Sequence, residues 1–198
     1  SSKKKLACGS ADDIVLCAGG FDASGHGGYQ DSADIFNLTS GAAVRTGETK
    51  SGGKRMFLGA GGGNHHIVIA GGLNAPDKAD SYVVDVFDTT TMTMKKNSTS
   101  LGAHRYFLTS ATVQDRFVFF GPGMGGKFPV AALAIDMYDT KTDYMYKGGL
   151  NPALPLMATM NANGAAAGAC SYWANGGARS MNYHATSNQV EAYRVSGC

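Results

Sequence analysis

Short apolar runs that end in glycines recur along the chain, separated by longer polar segments. The runs are VLCAGG, IVIAGG, VFFGPG and YWANGG, beginning at Val15, Ile67, Val118 and Tyr172. Their last glycines lie 52, 51 and 54 residues apart. An apolar run of this length, rich in β-branched and aromatic residues and bounded by glycine, predicts a buried strand that ends in a turn.

Two further elements repeat with the same period. An acid followed by apolar and aromatic residues gives DIFN, DVFD, DMYD and EAYR, beginning at Asp34, Asp85, Asp136 and Glu191 with spacings of 51, 51 and 55. An opening element gives KLAC, RMFL, RYFL and PLMA, and starts at residues 5, 55, 105 and 155. Three elements in phase near 50 residues indicate an internal repeat architecture.

Each repeat is expected to form four short antiparallel strands. In the second repeat these strands are predicted at 56–62, 65–70, 82–87 and 92–95. The first strand of each repeat carries small residues, which suits the crowded centre of a radial β-propeller. The fourth repeat has residues for only three strands. The sequence therefore predicts one all-β propeller domain over 1–198, with repeats of about 5–54, 55–104, 105–154 and 155–198.

The whole chain resembles the kelch-repeat family, which is recognised by a glycine doublet after the second strand and an aromatic–Asp pair after the third. The resemblance implies a four-bladed kelch-like β-propeller whose last blade lacks its outer strand. The family's later tryptophan is replaced in this sequence. The glycine doublets are Gly19-Gly20, Gly71-Gly72 and Gly176-Gly177. The aromatic–Asp pairs are Phe87-Asp88 and Tyr138-Asp139, while Phe36-Asn37 and Tyr193-Arg194 depart from this pair. The residues in place of the tryptophan are Ala43, Met94 and Met145.

Composition and net charge exclude several classes of protein and of binding partner. Glycine supplies 28 of 198 residues, about twice the average share, without a collagen period. Charged residues make up only 16%, which excludes charge-driven disorder. A net charge of +2 does not indicate a nucleic-acid partner, and no apolar run approaches the roughly 18 residues of a membrane span.

Cysteines and sequons indicate a secreted glycoprotein. The four cysteines show neither a CxxC pair nor zinc-ligand spacing. We expect disulfides Cys8–Cys17, across a hairpin, and Cys170–Cys198; a Cys8–Cys198 bond that closes the ring is the alternative. Sequons at Asn37 and Asn97 are expected to be glycosylated in turns after strands. The numbering is expected to start after a removed leader, with a fragment of a longer chain as the alternative.

No set of residues indicates a catalytic centre, and we expect no enzyme activity, metal or cofactor. The repeated acids Asp34, Asp85, Asp136 and Glu191 suggest a calcium ring, but a structural role is favoured, with Arg55 and Arg105 as partners across neighbouring blades. His65 and His66 are adjacent, so on a strand they would point to opposite faces and could not easily share an ion. The repeated aromatics Phe36, Phe87, Tyr138 and Tyr193 are expected to pack between blades.

Two regions are candidates for binding. The loop 21–31 carries Asp22, His26 and Tyr29, and loops of this kind lie on one face of a propeller. The third strand of the last repeat would leave an unpaired edge, which is a template for another chain. We therefore expect a secreted structural or interaction module that self-associates, as a homo-oligomer or a filament. The alternatives are a lectin-like glycan binder and a carbohydrate-active or oxidase-type enzyme domain. The edge comprises Gln189, Val190, Glu191, Ala192, Tyr193, Arg194 and Val195.

Overall fold

A computed structural model shows an all-β chain. It describes residues 3–22, 28–44, 51–75, 77, 79–121, 123–125, 130–132, 134–148, 164–166, 171–175 and 190–194. These residues form four principal antiparallel sheets and three small ones, and no helix occurs among them. Each principal sheet belongs to one sequence repeat, and its strands follow one another in chain order. We number the principal sheets first to fourth along the chain.

The first and second sheets come from the first two repeats. The first sheet contains Ala7–Ala11, Ile14–Ala18 and Ala33–Asn37. The second sheet contains Gly59–Gly63, His66–Ala70, Val83–Asp88 and Thr93–Ser100.

The expected fourth strand differs between these two sheets. In the first repeat it is reduced, among the described residues, to an isolated bridge between Phe36 and Ala43. In the second repeat it extends to Ser100 instead of ending at residue 95, because a register shift between Val84 and Val86 lets pairing continue past the irregularity. The expectation of four comparable strands was therefore wrong for the first repeat.

The third and fourth sheets follow the same order. The third contains Ser110–Val113, Phe117–Phe120, Asp136–Asp139 and Tyr144–Tyr146. The fourth contains Gly164–Ala166, Ser171–Asn175 and Val190–Arg194. The sequence predicted that the third strand of the fourth repeat is its last one. Val190–Arg194 is the last strand of the described fourth sheet.

Each of the first three repeats has a small sheet that uses the segment after its second principal strand. Lys3–Lys4 pairs with Phe21–Asp22, which pairs with Gly28–Tyr29. Arg55–Met56 pairs with Leu73–Asn74 in the same way. Gly123–Gly125 pairs with Val130–Ala132 in the third small sheet.

The small sheets correct the alignment of the first repeat. Lys3, and not Lys5, occupies the place of Arg55, because Lys4 and Met56 pair with equivalent strands. Phe57 then corresponds to Lys5, and the amide of Phe57 donates to the carbonyl of Lys5 at 3.0 Å. The amide of Phe107 donates in turn to the carbonyl of Phe57 at 3.0 Å. The first repeat is two residues longer than the second, and this difference shifted the sequence alignment from Lys3 to Lys5.

The innermost strands of successive sheets pack side by side. The strand Gly59–Gly63 contacts both Ala7–Ala11 and Ser110–Val113, and the latter contacts Gly164–Ala166. A Cβ atom on Gly62 would lie 2.5 Å from the carbonyl oxygen of Ser10, so only glycine allows this approach. The small residues predicted for the inner strands therefore serve close packing between sheets. The described residues do not show the four sheets closing into a ring.

Candidate functional site

A buried arginine–aspartate pair is the strongest polar feature of the second sheet. Arg55 is completely buried. Its Nη2 bonds Asp85 Oδ2, and its Nη1 donates to the carbonyls of Gly71 and Val83, both at 2.9 Å. Burial lowers the pKa of Arg55 while Asp85 raises it, and a guanidinium keeps its charge in proteins.

The third sheet repeats this pair. Arg105 Nη2 lies 2.6 Å from Asp136 Oδ2, and Arg105 Nη1 donates to the carbonyl of Ala134 at 2.8 Å. Asp136 also accepts the amides of Gly102 at 3.0 Å and Gly148 at 2.9 Å. Both carboxylate oxygens of Asp136 are thus bonded, and the amide of Gly102 comes from the second repeat.

The first sheet carries a more exposed version of the same pair. Lys3 Nζ lies 2.8 Å from Asp34 Oδ2, and the two side chains are 8% and 52% exposed. Lysine provides a point charge where arginine provides a planar fork. Three of the four repeated acids therefore have a basic partner in the structure; Glu191 lies in a strand whose side chains are not described.

These pairs correct one expectation. The arginines were expected to reach acids across neighbouring blades, but Arg55 and Arg105 pair with acids of their own repeat. Their main chains make the cross-repeat bonds instead. The amide of Arg55 donates to the carbonyl of Gln30 at 3.1 Å, and its carbonyl accepts the amide of Gly20 at 2.8 Å. The arginine side chains therefore stabilise their own repeat, and the arginine main chains connect it to the preceding one.

A second polar contact joins the first and second sheets at their hairpin turns. Asp12 Oδ2 accepts Thr89 Oγ1 at 2.5 Å and lies 2.9 Å from His65 Nδ1. These bonds lower the pKa of Asp12, Thr89 contributing most. The bond to Asp12, with smaller effects from Asp88 and Asp115, raises the pKa of the exposed His65. The exposed side chain of His65 serves this contact between sheets.

A polar cavity lies between the second and third sheets. Its volume is about 280 Å³. His66, Asp88 and Thr93 occupy one cross-strand row of the second sheet. The complete lining is His66, Val86, Asp88, Thr93, Lys95 and Asp143.

The cavity presents hydrogen-bond acceptors beside one cation. Nδ1 of His66 lies 3.0 Å from the carbonyl of Asn64, which can only accept, so the neutral ring keeps Nε2 as an acceptor. Burial opposes ionisation of Asp88, but bonds from the Thr90 and Thr91 turn outweigh it and lower its pKa to about 2. All these bonds reach Oδ1 of Asp88.

The opposite wall of the cavity is an ion pair. Lys95 Nζ lies 2.8 Å from Asp143 Oδ2, and Tyr138 donates its hydroxyl to Asp143 Oδ1. The bond from Lys95, followed by that from Tyr138, lowers the pKa of Asp143. Burial, with the bond to Asp143, raises the pKa of Tyr138. Both acids of the cavity are therefore charged at neutral pH.

The loop proposed for binding is only partly described. Asp22 pairs with Lys3 in the small sheet, and Tyr29 lies opposite Phe21 with ring centroids 6.0 Å apart. Burial raises the pKa of Tyr29. His26 lies outside the described residues. The described part of this loop thus forms two short strands, one of which pairs with Lys3–Lys4.

The expected hairpin disulfide is present. Cys8 and Cys17 face each other in the first sheet and are joined with a Cα–Cα distance of 4.1 Å. Cys170 and Cys198 lie outside the described residues, so their pairing stays a prediction.

Both sequon asparagines are at strands and not in the turns expected for them. Asn37 is the last residue of its strand, and its Oδ1 accepts the amide of Ser40 at 2.8 Å. Asn97 lies inside Thr93–Ser100 with a positive φ of 50°, exposed at the register shift. Its amide donates to Asp85 Oδ1 at 2.8 Å.

Sequence reasoning missed the cavity and the Asp12 contact. The cavity unites residues from two repeats, and Lys95 and Asp143 lie 48 residues apart. A comparison at the repeat period could have placed these two residues on neighbouring sheets. The Asp12 contact also recurs at the repeat period. Asp12 and Asn64 begin equivalent turns, and Asn64 Nδ2 donates to the carbonyl of Thr140 in the third repeat at 3.2 Å, as Asp12 bonds Thr89 in the second.

Comparison with protein-family models and curated proteins gives no relative for this chain. Within the described residues, no group of three or more histidine, cysteine, aspartate or glutamate side chains could hold a metal ion. The described part of the chain has no helix that is long and apolar enough to cross a membrane.

Proposed function

We propose that this chain is a secreted, non-catalytic interaction module, arranged as a kelch-like β-propeller, that associates with copies of itself. One observation carries the proposal. The basic and acidic groups that recur in the first three repeats pair with each other within a repeat, as in Arg55–Asp85 and Arg105–Asp136, while the main chains of both arginines bond to the preceding repeat. Repetition of the same group in equivalent places serves architecture, whereas catalysis needs one convergent set of groups.

The Cys8–Cys17 disulfide supports an extracellular location. Structural disulfides persist in oxidising compartments. Asn97 is exposed and Asn37 is at the end of a strand next to an exposed turn, positions that suit a bulky glycan. Mass spectrometry of peptides from native material should find glycans at both asparagines. Unmodified peptides at both sites would contradict secretion through a glycosylating pathway.

Self-association can use the edge strand Val190–Arg194. It pairs with Ser171–Asn175 on one side and is the terminal strand of the described fourth sheet. Strand addition at such an edge gives main-chain hydrogen bonds to a partner. Val190→Pro and Ala192→Pro remove backbone donors and should lower the mass measured by light scattering.

Val190→Thr and Ala192→Ser are the controls, because they change the side chains and keep the donors. Circular dichroism should show that all four variants retain β structure. A wild-type chain that stays monomeric at every concentration and binds no partner would overturn the proposed function.

A second candidate function is binding of a polyhydroxylated ligand such as a glycan. The cavity beside His66, Asp88 and Lys95 favours it, because carboxylate and imidazole acceptors take bonds from sugar hydroxyls. Its volume of about 280 Å³ suits a monosaccharide-sized group. A glycan-binding screen should identify a ligand that Asp88→Asn abolishes. Asp77→Asn, an exposed acid outside the cavity lining, is the control.

A further inference from the structure

Equivalent residues of the first three sheets can be identified from strand register. Cys17 pairs with Asp34, Ile69 with Asp85 and Phe120 with Asp136. Two residues away on the same face of each sheet, Val15 pairs with Phe36, Ile67 with Phe87 and Val118 with Tyr138. We call the first-sheet version of this surface the open face; it consists of Cys8, Ser10, Val15, Cys17, Asp34 and Phe36.

In the second and third sheets, this face is an interface with the preceding sheet. Ile67, Ile69 and Phe87 are completely buried in a cluster with first-sheet residues. Val118, Phe120 and Tyr138 are buried in a cluster with second-sheet residues. The same face therefore meets the same kind of neighbour twice within one chain.

The open face of the first sheet is uncovered. Phe36 is 42% exposed, whereas Phe87 is 0% and Tyr138 is 1% exposed. Cys8 and Ser10 are exposed, and the Asp34 side chain is 52% exposed. A surface that is an interface in the second and third sheets is thus partly exposed in the first, where none of the described sheets covers it.

The opposite face of the fourth sheet is the complementary surface. In the third sheet, Phe119 is buried and the partly buried Met137 packs against its cluster, on the face away from the second sheet. The inner strand Ser110–Val113 contacts Gly164–Ala166 and Ser171–Asn175 of the fourth sheet. The register places Trp173 and Ala192 at the corresponding positions of the fourth sheet. The repeat thus continues with apolar residue types at the surface that a next sheet would meet.

We propose that the open face binds the fourth sheet of a second copy of this chain, so that copies join head to tail. The contact repeats the packing that already joins successive sheets within the chain. A second copy is favoured over the chain's own fourth sheet, because Phe36 is 42% exposed in a structure that contains that sheet. Such a heterologous contact generates a ring or an open filament. The inference rests on the self-association in the proposed function and adds the surface that carries it.

The test compares two substitutions in light scattering over a concentration series. Phe36→Asp puts a charge into the apolar contact and should weaken association at least tenfold. Leu38→Asp is the matched control, because Leu38 is 60% exposed, two residues further on in the turn, and not on the open face. Its association constant should stay within twofold of wild type.

Crosslinking supplies a second readout that does not depend on how a substitution affects folding. A photoreactive phenylalanine analogue in place of Phe36 should give a covalent dimer, with the crosslinked peptide from the fourth sheet of the other chain. A crosslink confined to the chain's own fourth sheet would mean ring closure and overturn the inference.

The outcomes separate this inference from the proposed function. If wild type associates, Val190→Pro blocks association and Phe36→Asp leaves it unchanged, the edge strand is the route and only the open-face inference fails. If wild type never associates, both fail. If Phe36→Asp and the interchain crosslink behave as expected, the open face is the contact surface.

Discussion

The same repeat position contributes differently to stability in two environments, one buried and one partly exposed. Arg55 and Arg105 are completely buried with their carboxylates, whereas Lys3 pairs with an Asp34 that is half exposed. Removing one partner of a buried pair leaves an uncompensated charge, while an exposed pair contributes little. The protein therefore contains its own control for the cost of a buried charge.

We expect Arg105→Met to lower the free energy of unfolding by about 3–5 kcal/mol, because Asp136 would stay buried without its cation. Lys3→Met should lower it by about 1 kcal/mol or less, because Asp34 can be solvated. Urea denaturation measures both. Equal losses for the two variants would show that burial of the pair does not set its importance.

The Asp12–His65 contact should make the junction of the first two sheets depend on pH. The raised pKa of His65 gives stability that is fully present below its unfolded value near 6.5 and is lost as pH rises through the folded pKa. The lowered pKa of Asp12 gives stability that is present above 3.8 and is lost as pH falls through its folded pKa. The contact is therefore strongest in mildly acidic solution.

Asp12→Asn should bring the His65 pKa back toward its ordinary value, as measured by NMR titration of the ring protons. The variant imitates Asn64, which occupies the equivalent turn position and makes an uncharged contact with the third sheet. Asp13→Asn is the control, because it removes a carboxylate of the same turn and leaves Asp12 in place. A His65 pKa that stays raised in Asp12→Asn would assign the shift to Asp88 and Asp115 instead.

Sequence reasoning found the repeated acids but not all of their partners. The acids recur at fixed spacings, so their structural role could be inferred from the pattern alone. Lys3 was missed because the first repeat is two residues longer in this region, which moved the alignment to Lys5. The acids of the cavity were missed because Asp88 and Asp143 belong to different repeats and meet only through sheet packing.

At the scale of elements, the inner strand Gly59–Gly63 determines how closely the sheets approach. Gly62→Ala would place a Cβ atom 2.5 Å from the carbonyl oxygen of Ser10 and 2.7 Å from that of His66. We expect a loss of about 1–3 kcal/mol in urea denaturation, because backbone must move to relieve the contact. Gly53→Ala is the control, with no heavy atom within 4 Å of the added carbon. A neutral Gly62→Ala would indicate that neighbouring sheets separate easily.

The Cys8–Cys17 disulfide reinforces a hairpin of the first sheet, which packs against the second sheet on one face only among the described residues. Its equivalents in the second sheet, Ala60 and Ile69, are packed between two sheets and need no bond. Replacing both cysteines by alanine should cost about 2–3 kcal/mol, from the entropy of the short closed loop. Urea denaturation without reductant measures this cost. A variant as stable as wild type would show that packing alone fixes the hairpin.

Strand positions were predicted better than strand ends. In the second repeat, His66–Ala70 and Val83–Asp88 lie within one residue of their predicted bounds. The fourth strand was predicted too short, because the irregularity near Asn97 hides the continued pairing from a simple alternation rule. In the described part of the first repeat, which ends at residue 44, the fourth strand is reduced to a bridge at Ala43, and the sequence carries no signal for this difference from the second repeat.

At the scale of the whole molecule, the sheets form a series in which the second has a sheet on each side and the first has one on a single side. Val15, Ile67 and Val118 occupy equivalent positions along this series. Ile67 and Val118 are completely buried, whereas Val15 is only partly buried on the open face. The stability of each sheet against local opening should follow its number of neighbours.

Hydrogen exchange at low protein concentration should therefore show the amides of Ile67 and Val118 at least tenfold better protected than the amide of Val15. The comparison is matched, because all three are β-branched residues at the same place in the strand register, with similar intrinsic exchange rates. Protection of Val15 should rise with protein concentration as a second copy covers the open face, while protection of Ile67 stays constant. Equal protection of Val15 and Ile67 at high dilution would mean that the open face is already covered within one chain, and the molecule would then be a closed ring of sheets.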